Sequence, residues 1–150
     1  MKARDLMTGD PVTITPDATI EHAAAVMQSR GVCMLPVVNT ETGARLRGVI
    51  TDRDIVDRCV AEVHTTGCRV RDHWTATGLE AVHSDDPLEL VIVKMRTGNV
   101  RRAPVVDADD RVVGVVTRAD LVRRGCGGDP VLRARILEQL SDYSPGRGGL

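Results

Sequence analysis

Gly48-Val49-Ile50-Thr51-Asp52-Arg53-Asp54-Ile55 is the stretch on which the fold turns, because it is written again, 66 residues later, as Gly114-Val115-Val116-Thr117-Arg118-Ala119-Asp120-Leu121. Each copy reads as the end of an apolar strand running into a helix that opens at a threonine, with an aspartate three positions on. Working outward, Leu35-Pro36-Val37-Val38 falls on Ala103-Pro104-Val105-Val106 at an offset of 68. The same offset places the helix-phased Ile20, Ala23, Ala24 and Met27 on Leu88, Val91, Ile92 and Met95. Further upstream, Ala3-Arg4-Asp5-Leu6-Met7-Thr8 falls on Val70-Arg71-Asp72-His73-Trp74-Thr75 at an offset of 67. So many matches in order make the chain one plan written twice.

Each copy predicts a short strand (Val12–Ile14; Leu79–Val82), a helix ending near Gly31 or Gly98 in a left-handed cap, a strand, a polar turn (Thr40–Ala44; Asp107–Asp110), a second strand, and the helix opening at Thr51 or Thr117. The adjacent valines of Val37-Val38, Val105-Val106, Val112-Val113 and Val115-Val116 favour strands covered on both faces. The fold class is therefore α/β (α+β). A β-α-β-β-α half is too small to bury its apolar face alone, so the two copies are expected to share one module. The expected domains are residues 1–60 and 70–125, each a repeat with its lead-in, a linker at 61–69, and a C-terminal helix with a tail at 126–150. That helix should start at Asp129-Pro130, its stripe of Leu132, Ile136, Leu137 and Leu140 either closing over the module or meeting another subunit, and Ser144–Leu150 should fray.

Composition excludes several functions. With 20 Lys+Arg against 21 Asp+Glu, and Trp74 and Tyr143 as the only aromatics, the chain lacks the basic excess and stacking surfaces of a nucleic-acid binder. No apolar run reaches the ~20 residues of a membrane span, and the first residues lack a targeting pattern, so a cytoplasmic location is expected. Cys33, Cys59, Cys68 and Cys126 are widely spaced without a C-x-x-C pair and read as reduced thiols. His64 and Cys68 stand at i and i+4, but a lone pair in a linker reads as accidental, and no metal site is expected. No nucleophile elbow, phosphate-binding loop or acid–base constellation argues for an enzyme.

The Thr-x-x-Asp junctions are where chemistry can sit. A helix N-terminus presents free N–H groups to an anion, the threonine hydroxyl adds a hydrogen bond, and the aspartate can accept the hydroxyls of a ribose. The same atoms also make an ordinary helix cap. Arg53, Arg118 and the Arg101-Arg102 pair group around the junctions as guanidinium forks for phosphate. Pro36 and Pro104 suggest places where the backbone leaves the ladder, freeing amides near Leu35 and Ala103 to read an adenine edge.

With these residues on the page, Ala3 to about Gly125 resembles a pair of cystathionine-β-synthase (CBS) domains, and the short chain looks like the hypoxia- or stress-response members. The resemblance implies a pseudo-twofold module, usually dimerised, with clefts between its two motifs. Those clefts would take AMP, ADP, ATP, NAD or S-adenosylmethionine as a regulatory ligand, with no obligatory cofactor. It further implies that Asp54 and Asp120 hold ribose, that Thr51 and Thr117 meet ribose or phosphate, and that Thr13, Ala81, Met34, Leu35, Arg102 and Ala103 surround the base. His73-Trp74 in place of Leu6-Met7, and Asn99 in place of Gly31, point to unequal clefts. The function expected is a ligand sensor acting on an unknown protein target; the alternative is a ligand-independent dimeric scaffold.

Overall fold

Each lead-in folds as one helical turn, α1 (Ala3–Leu6) and α4 (Val70–His73). The aspartate of the repeated Arg-Asp pair closes it: Asp5 accepts the Lys2 N–H at 2.9 Å and Asp72 accepts the Arg69 N–H at 2.8 Å. The computed structural model describes residues 1–64 and 67–141, so the expected fraying of Ser144–Leu150 lies outside the described residues.

Two compact units result, and their boundaries do not follow the repeats. One comprises Met1–Asp10, Glu80–Asp109 and the chain from Val113 onward; the other comprises Pro11–Leu79 with Asp110–Val112. Each lead-in therefore serves the unit built on the other repeat.

The first unit carries a four-stranded sheet in the order β1 (Thr8–Gly9), β6 (Val112–Thr117), β5 (Arg102–Val106), β4 (Val82–His83). Strand β1 runs antiparallel to β6, with Gly9 opposite Gly114, and β4 runs parallel to β5. Leu6, Val82, Val91, Met95, Val105 and Leu121 fill the core under α5 (Leu88–Thr97) and α6 (Arg118–Gly125). The final helix, α7 (Pro130–Ser141), is capped by Asp129, whose carboxylate accepts the Val131 N–H at 2.9 Å. Ile136 and Leu140 enter the same core, while Leu137 and Val131 stay exposed, so this helix closes over its own unit along part of its stripe.

The second unit is built on the hairpin of β2 (Met34–Asn39) and β3 (Arg45–Thr51), with a bulge between Val37 and Val38. Helix α2 (Ile20–Arg30) lays Ile20, Ala23 and Met27 against it and ends at Gly31 in the left-handed region, as expected. In α5 the corresponding left-handed residue is Asn99, φ 52°, and not Gly98, φ −74°. Among the described residues no helix is long and apolar enough to cross a membrane.

The expected strand Val12–Ile14 is reduced to a single parallel bridge of Ile14 with Val37. Ile14 donates to the Pro36 carbonyl at 3.0 Å and accepts from Val38 at 2.9 Å. The next bond back along the ladder would need an N–H from residue 36, which proline lacks, so pairing stops there. Pro104 limits β4 in the same way, and the strand begins at Val82.

After Thr51 the chain enters α3 (Asp52–Asp54) and runs on as a π-helical turn, Ile55–Val60, where its counterpart α6 is a regular helix. The glycine before each junction is set by close approach. A Cβ on Gly48 would lie 2.6 Å from the Thr75 carbonyl oxygen and 2.9 Å from the Trp74 ring; one on Gly114 would lie 2.8 Å from the Thr8 oxygen. Gly48→Ala and Gly114→Ala should each destabilise the fold by about 1–3 kcal/mol in urea denaturation. Gly9→Ala, where nothing lies within 4 Å, should leave stability within about 0.5 kcal/mol.

Candidate functional site

In both units the strand-to-helix junction is a reciprocal cap. Thr51 Oγ1 accepts the Asp54 N–H at 3.1 Å while Asp54 Oδ2 accepts the Thr51 N–H at 3.0 Å. Thr117 and Asp120 repeat this at 3.1 and 2.9 Å, and the Thr117 hydroxyl also donates to Asp120 Oδ2 at 2.7 Å. Both carboxylates are buried, at 5% and 4% exposure. One oxygen of each is thus committed to the cap.

The second oxygen distinguishes the repeats. Asp54 Oδ1 lies 3.7 Å from Arg58 Nε, and Asp120 Oδ1 accepts from the exposed Arg123 guanidinium at 2.9 Å. Arg58 is itself fastened, donating to the carbonyls of His73 at 3.1 Å and Trp74 at 2.9 Å. Burial holds the Asp54 carboxyl above its ordinary value, outweighing the Thr51 hydrogen bonds and the Arg58 charge that pull it down.

The predicted residues sort into two groups, one in each unit. Met34 sits opposite Thr51 in the hairpin register, Leu35 opposite Ile50 and Pro36 opposite Val49. Val49 turns its N–H and carbonyl away from β2, to Thr75 at 2.9 Å each, so by alternation the backbone of Leu35 is committed to Ile50. Of the expected pre-proline positions near Leu35 it is Met34 whose N–H and carbonyl face the side that Pro36 leaves unpaired. Thr13, half-buried, precedes the Ile14 bridge on that same side. In the first unit Arg102 holds the place of Met34, ahead of the buried Ala103 and Pro104, and Ala81 lies just before β4 with its carbonyl accepting from Lys94 at 3.1 Å.

The arginines are placed less simply than the sequence suggests. Arg53 is exposed and bonded to Asp57 at 3.0 Å. Arg118 donates from its backbone to Arg101 at 2.9 Å, and its guanidinium bonds the carbonyls of Val100 at 3.0 Å and Leu140 at 3.1 Å, fastening α7. A cleft of about 510 Å³ in the second unit, lined by Thr15, Asp17, Asn39, Arg47, Arg71 and Trp74 among others, contains none of the predicted binding residues.

A second group was missed. Cys68, whose pairing with His64 reads as accidental by spacing, gathers with Cys59 and His73 in the second unit, and His64 lies against His73 at its side. The legible signal was four cysteine and histidine side chains within Cys59–His73, at intervals of five, four and five residues.

The CBS domain model matches residues 3–61 and 70–126. Inosine-5'-monophosphate dehydrogenase of Methanocaldococcus jannaschii is 32% identical over 82% of this chain, which spans only 23% of that protein. The CBS domain pair of protein MJ0100, solved with 5'-methylthioadenosine and S-adenosyl-L-methionine, is 30% identical with a TM-score of 0.74, covering 85% of this chain and 97% of that one. CBS domain protein PAE2072 from Pyrobaculum aerophilum, complexed with AMP, is 25% identical with a TM-score of 0.76, covering 95% and 99%.

Asp54 supplies a pH test of its burial. Because its folded value is raised, the native state binds the proton more tightly than the unfolded chain, and stability from this group falls as pH rises from 3.8 through the folded value. The stability of Asp54→Asn relative to the parent should therefore increase across that range in urea denaturation; a decrease would contradict the assigned direction.

Proposed function

The chain belongs to the CBS domain family, and from that premise we propose that it is a regulatory module taking an adenosine-containing ligand at its Thr-x-x-Asp junctions. The observation that carries this reading is the duplicated cap with a buried carboxylate. Each junction offers a threonine hydroxyl and an aspartate oxygen beside a β-strand whose backbone, at Met34 or Arg102, is left at the unpaired side of a proline. Ribose hydroxyls suit the carboxylate, and a strand edge suits a base. The relatives solved with AMP and with S-adenosyl-L-methionine support that ligand class.

In this reading Asp54 and Asp120 accept from ribose, Thr51 and Thr117 donate to it, and Thr13, Met34, Leu35, Pro36, Ala81, Arg102, Ala103 and Pro104 frame the base. Arg53, Arg101 and Arg118 lie toward phosphate, with Arg53 exchanging its bond to Asp57 for the ligand. Occupancy is relayed to a protein target through a second copy of the chain, and the module regulates rather than catalyses. The Arg58 and Arg123 partners make the junctions chemically unequal, so one takes ligand more tightly. A second reading, a ligand-independent scaffold, is favoured by the fastening of Arg118 to α7, which engages its guanidinium inside the fold.

Thermal unfolding with AMP, ATP, NAD and S-adenosylmethionine separates the two. At roughly 100-fold excess over Kd a ligand stabilises by about 2.7 kcal/mol. At least one of the four should raise the midpoint of the parent, and Asp54→Ala with Asp120→Ala should abolish the rise. A flat response of the parent to all four, or a rise that survives in the double variant, would favour the scaffold.

A further inference from the structure

The buried end of α4 holds a side chain that the fold itself does not require. His73 is 5% exposed, and its counterpart in the first repeat is Leu6, fully buried in the core of the other unit. Cys59, 1% exposed, corresponds to Gly125. The surrounding frame is the same in both units: Arg124 donates to the carbonyls of Leu6 at 3.0 Å and Met7 at 2.7 Å, as Arg58 does to those of His73 and Trp74. One frame thus encloses an apolar pair in the first unit and a thiol with an imidazole in the second. The apolar version folds without them, so packing under this frame does not call for an imidazole.

Two further side chains complete the group. Cys59 Sγ, Cys68 Sγ and a His73 ring nitrogen all lie within 4.8 Å of one another. His64 Nδ1 lies 3.4 Å from His73 Nε2. We propose that Cys59, His64, Cys68 and His73 form a tetrahedral binding site for a zinc ion. With Zn–N near 2.0 Å and Zn–S near 2.3 Å, a tetrahedral ion separates its two nitrogens by about 3.3 Å and its two sulfurs by about 3.8 Å. The imidazole pair already stands at the first spacing, the sulfurs start within 4.8 Å of each other and close toward the second, and His64, which lies outside that group, swings in beside His73 to complete the four.

The chemistry of the donors selects the metal. Two thiols and two imidazoles suit zinc and exclude calcium and magnesium, which take oxygen ligands. Binding releases the two thiol protons, and two thiolates then balance the double charge of the ion, leaving a neutral group beside an apolar core. The backbone is shaped around the same four residues. Cys59 sits in the π-helical turn that the other repeat lacks, and π turns concentrate at functional sites. Val63, 89% exposed, holds φ 59°, a left-handed conformation unfavourable for a β-branched residue. It turns the chain so that His64 donates its backbone N–H to Cys59 at 2.9 Å. His64 is exposed, leaving the ion a path in from solvent.

This site stands apart from the nucleotide reading and is tested without nucleotide. The full chain, purified under reducing conditions, is dialysed against zinc and then against metal-free buffer, and bound metal is counted by elemental mass spectrometry. One zinc per chain is expected, falling to background in Cys59→Ser and Cys68→Ser and retained in Cys33→Ser and Cys126→Ser. Cobalt(II) in its place should show thiolate-to-metal charge transfer and the strong visible bands of four-coordination. His73→Leu installs the residue of the other repeat; its circular dichroism should match the parent while its metal is lost. The proposal is overturned if the reduced parent holds no zinc, or if Cys59→Ser and Cys68→Ser hold as much as the parent. It is equally overturned if His73→Leu folds and keeps its metal.

Discussion

Neither repeat completes its own core. Leu6 and Val70, both fully buried, come from the lead-in of one repeat and enter the core assembled by the other. Burying such side chains contributes on the order of 2 kcal/mol each, a large fraction of what a small unit has to spare. Backbone must meet backbone for them to arrive. That is why Gly48 and Gly114 stand where Thr75 and Thr8 pass, and why Arg58 and Arg124 reach across to the carbonyls at the ends of α4 and α1. The repeated Gly, Thr and Asp of the deciding stretch are consequences of one packing problem solved twice.

At the junctions, the helix cap and the proposed ligand contacts draw on the same atoms without competing for all of them. The cap needs one oxygen of each aspartate, and burial fixes its direction. The other oxygen is held only by an arginine, at 3.7 Å in one repeat and through an exposed guanidinium in the other. Both carboxylates are buried, so a ligand hydroxyl that takes the place of an arginine has to supply a hydrogen bond in exchange. A structural motif of this kind can carry a binding function with no loss of helix stability.

The repeats have also diverged where their frames coincide. Under the Arg124 brace lie Leu6 and Gly125, and Leu88 and Ile136 fill the space that the glycine leaves. Under the Arg58 brace lie His73 and Cys59. Once two copies share the burden of folding, one of them can carry ligand-type side chains at a place where the other keeps an apolar contact.

Periodicity, capping residues and self-similarity are local properties, and they settled the duplicated β-α-β-β-α order, the helix starts at Thr51, Thr117 and Asp129, and the family. Proline chemistry was legible too, and its effect is to end the pairing of the Ile14 segment and leave Met34 at the unpaired side. What only the tertiary structure decided is every contact between residues distant along the chain. The exchange of lead-ins depends on which apolar face finds which sheet, and the turning of Arg118 to Leu140 depends on where α7 docks. The meeting of Cys59, His64, Cys68 and His73 depends on a π turn and a left-handed valine. Spacing along a sequence measures contour, and these side chains approach because the chain widens into a π turn and then reverses at a left-handed Val63, which spacing does not foretell.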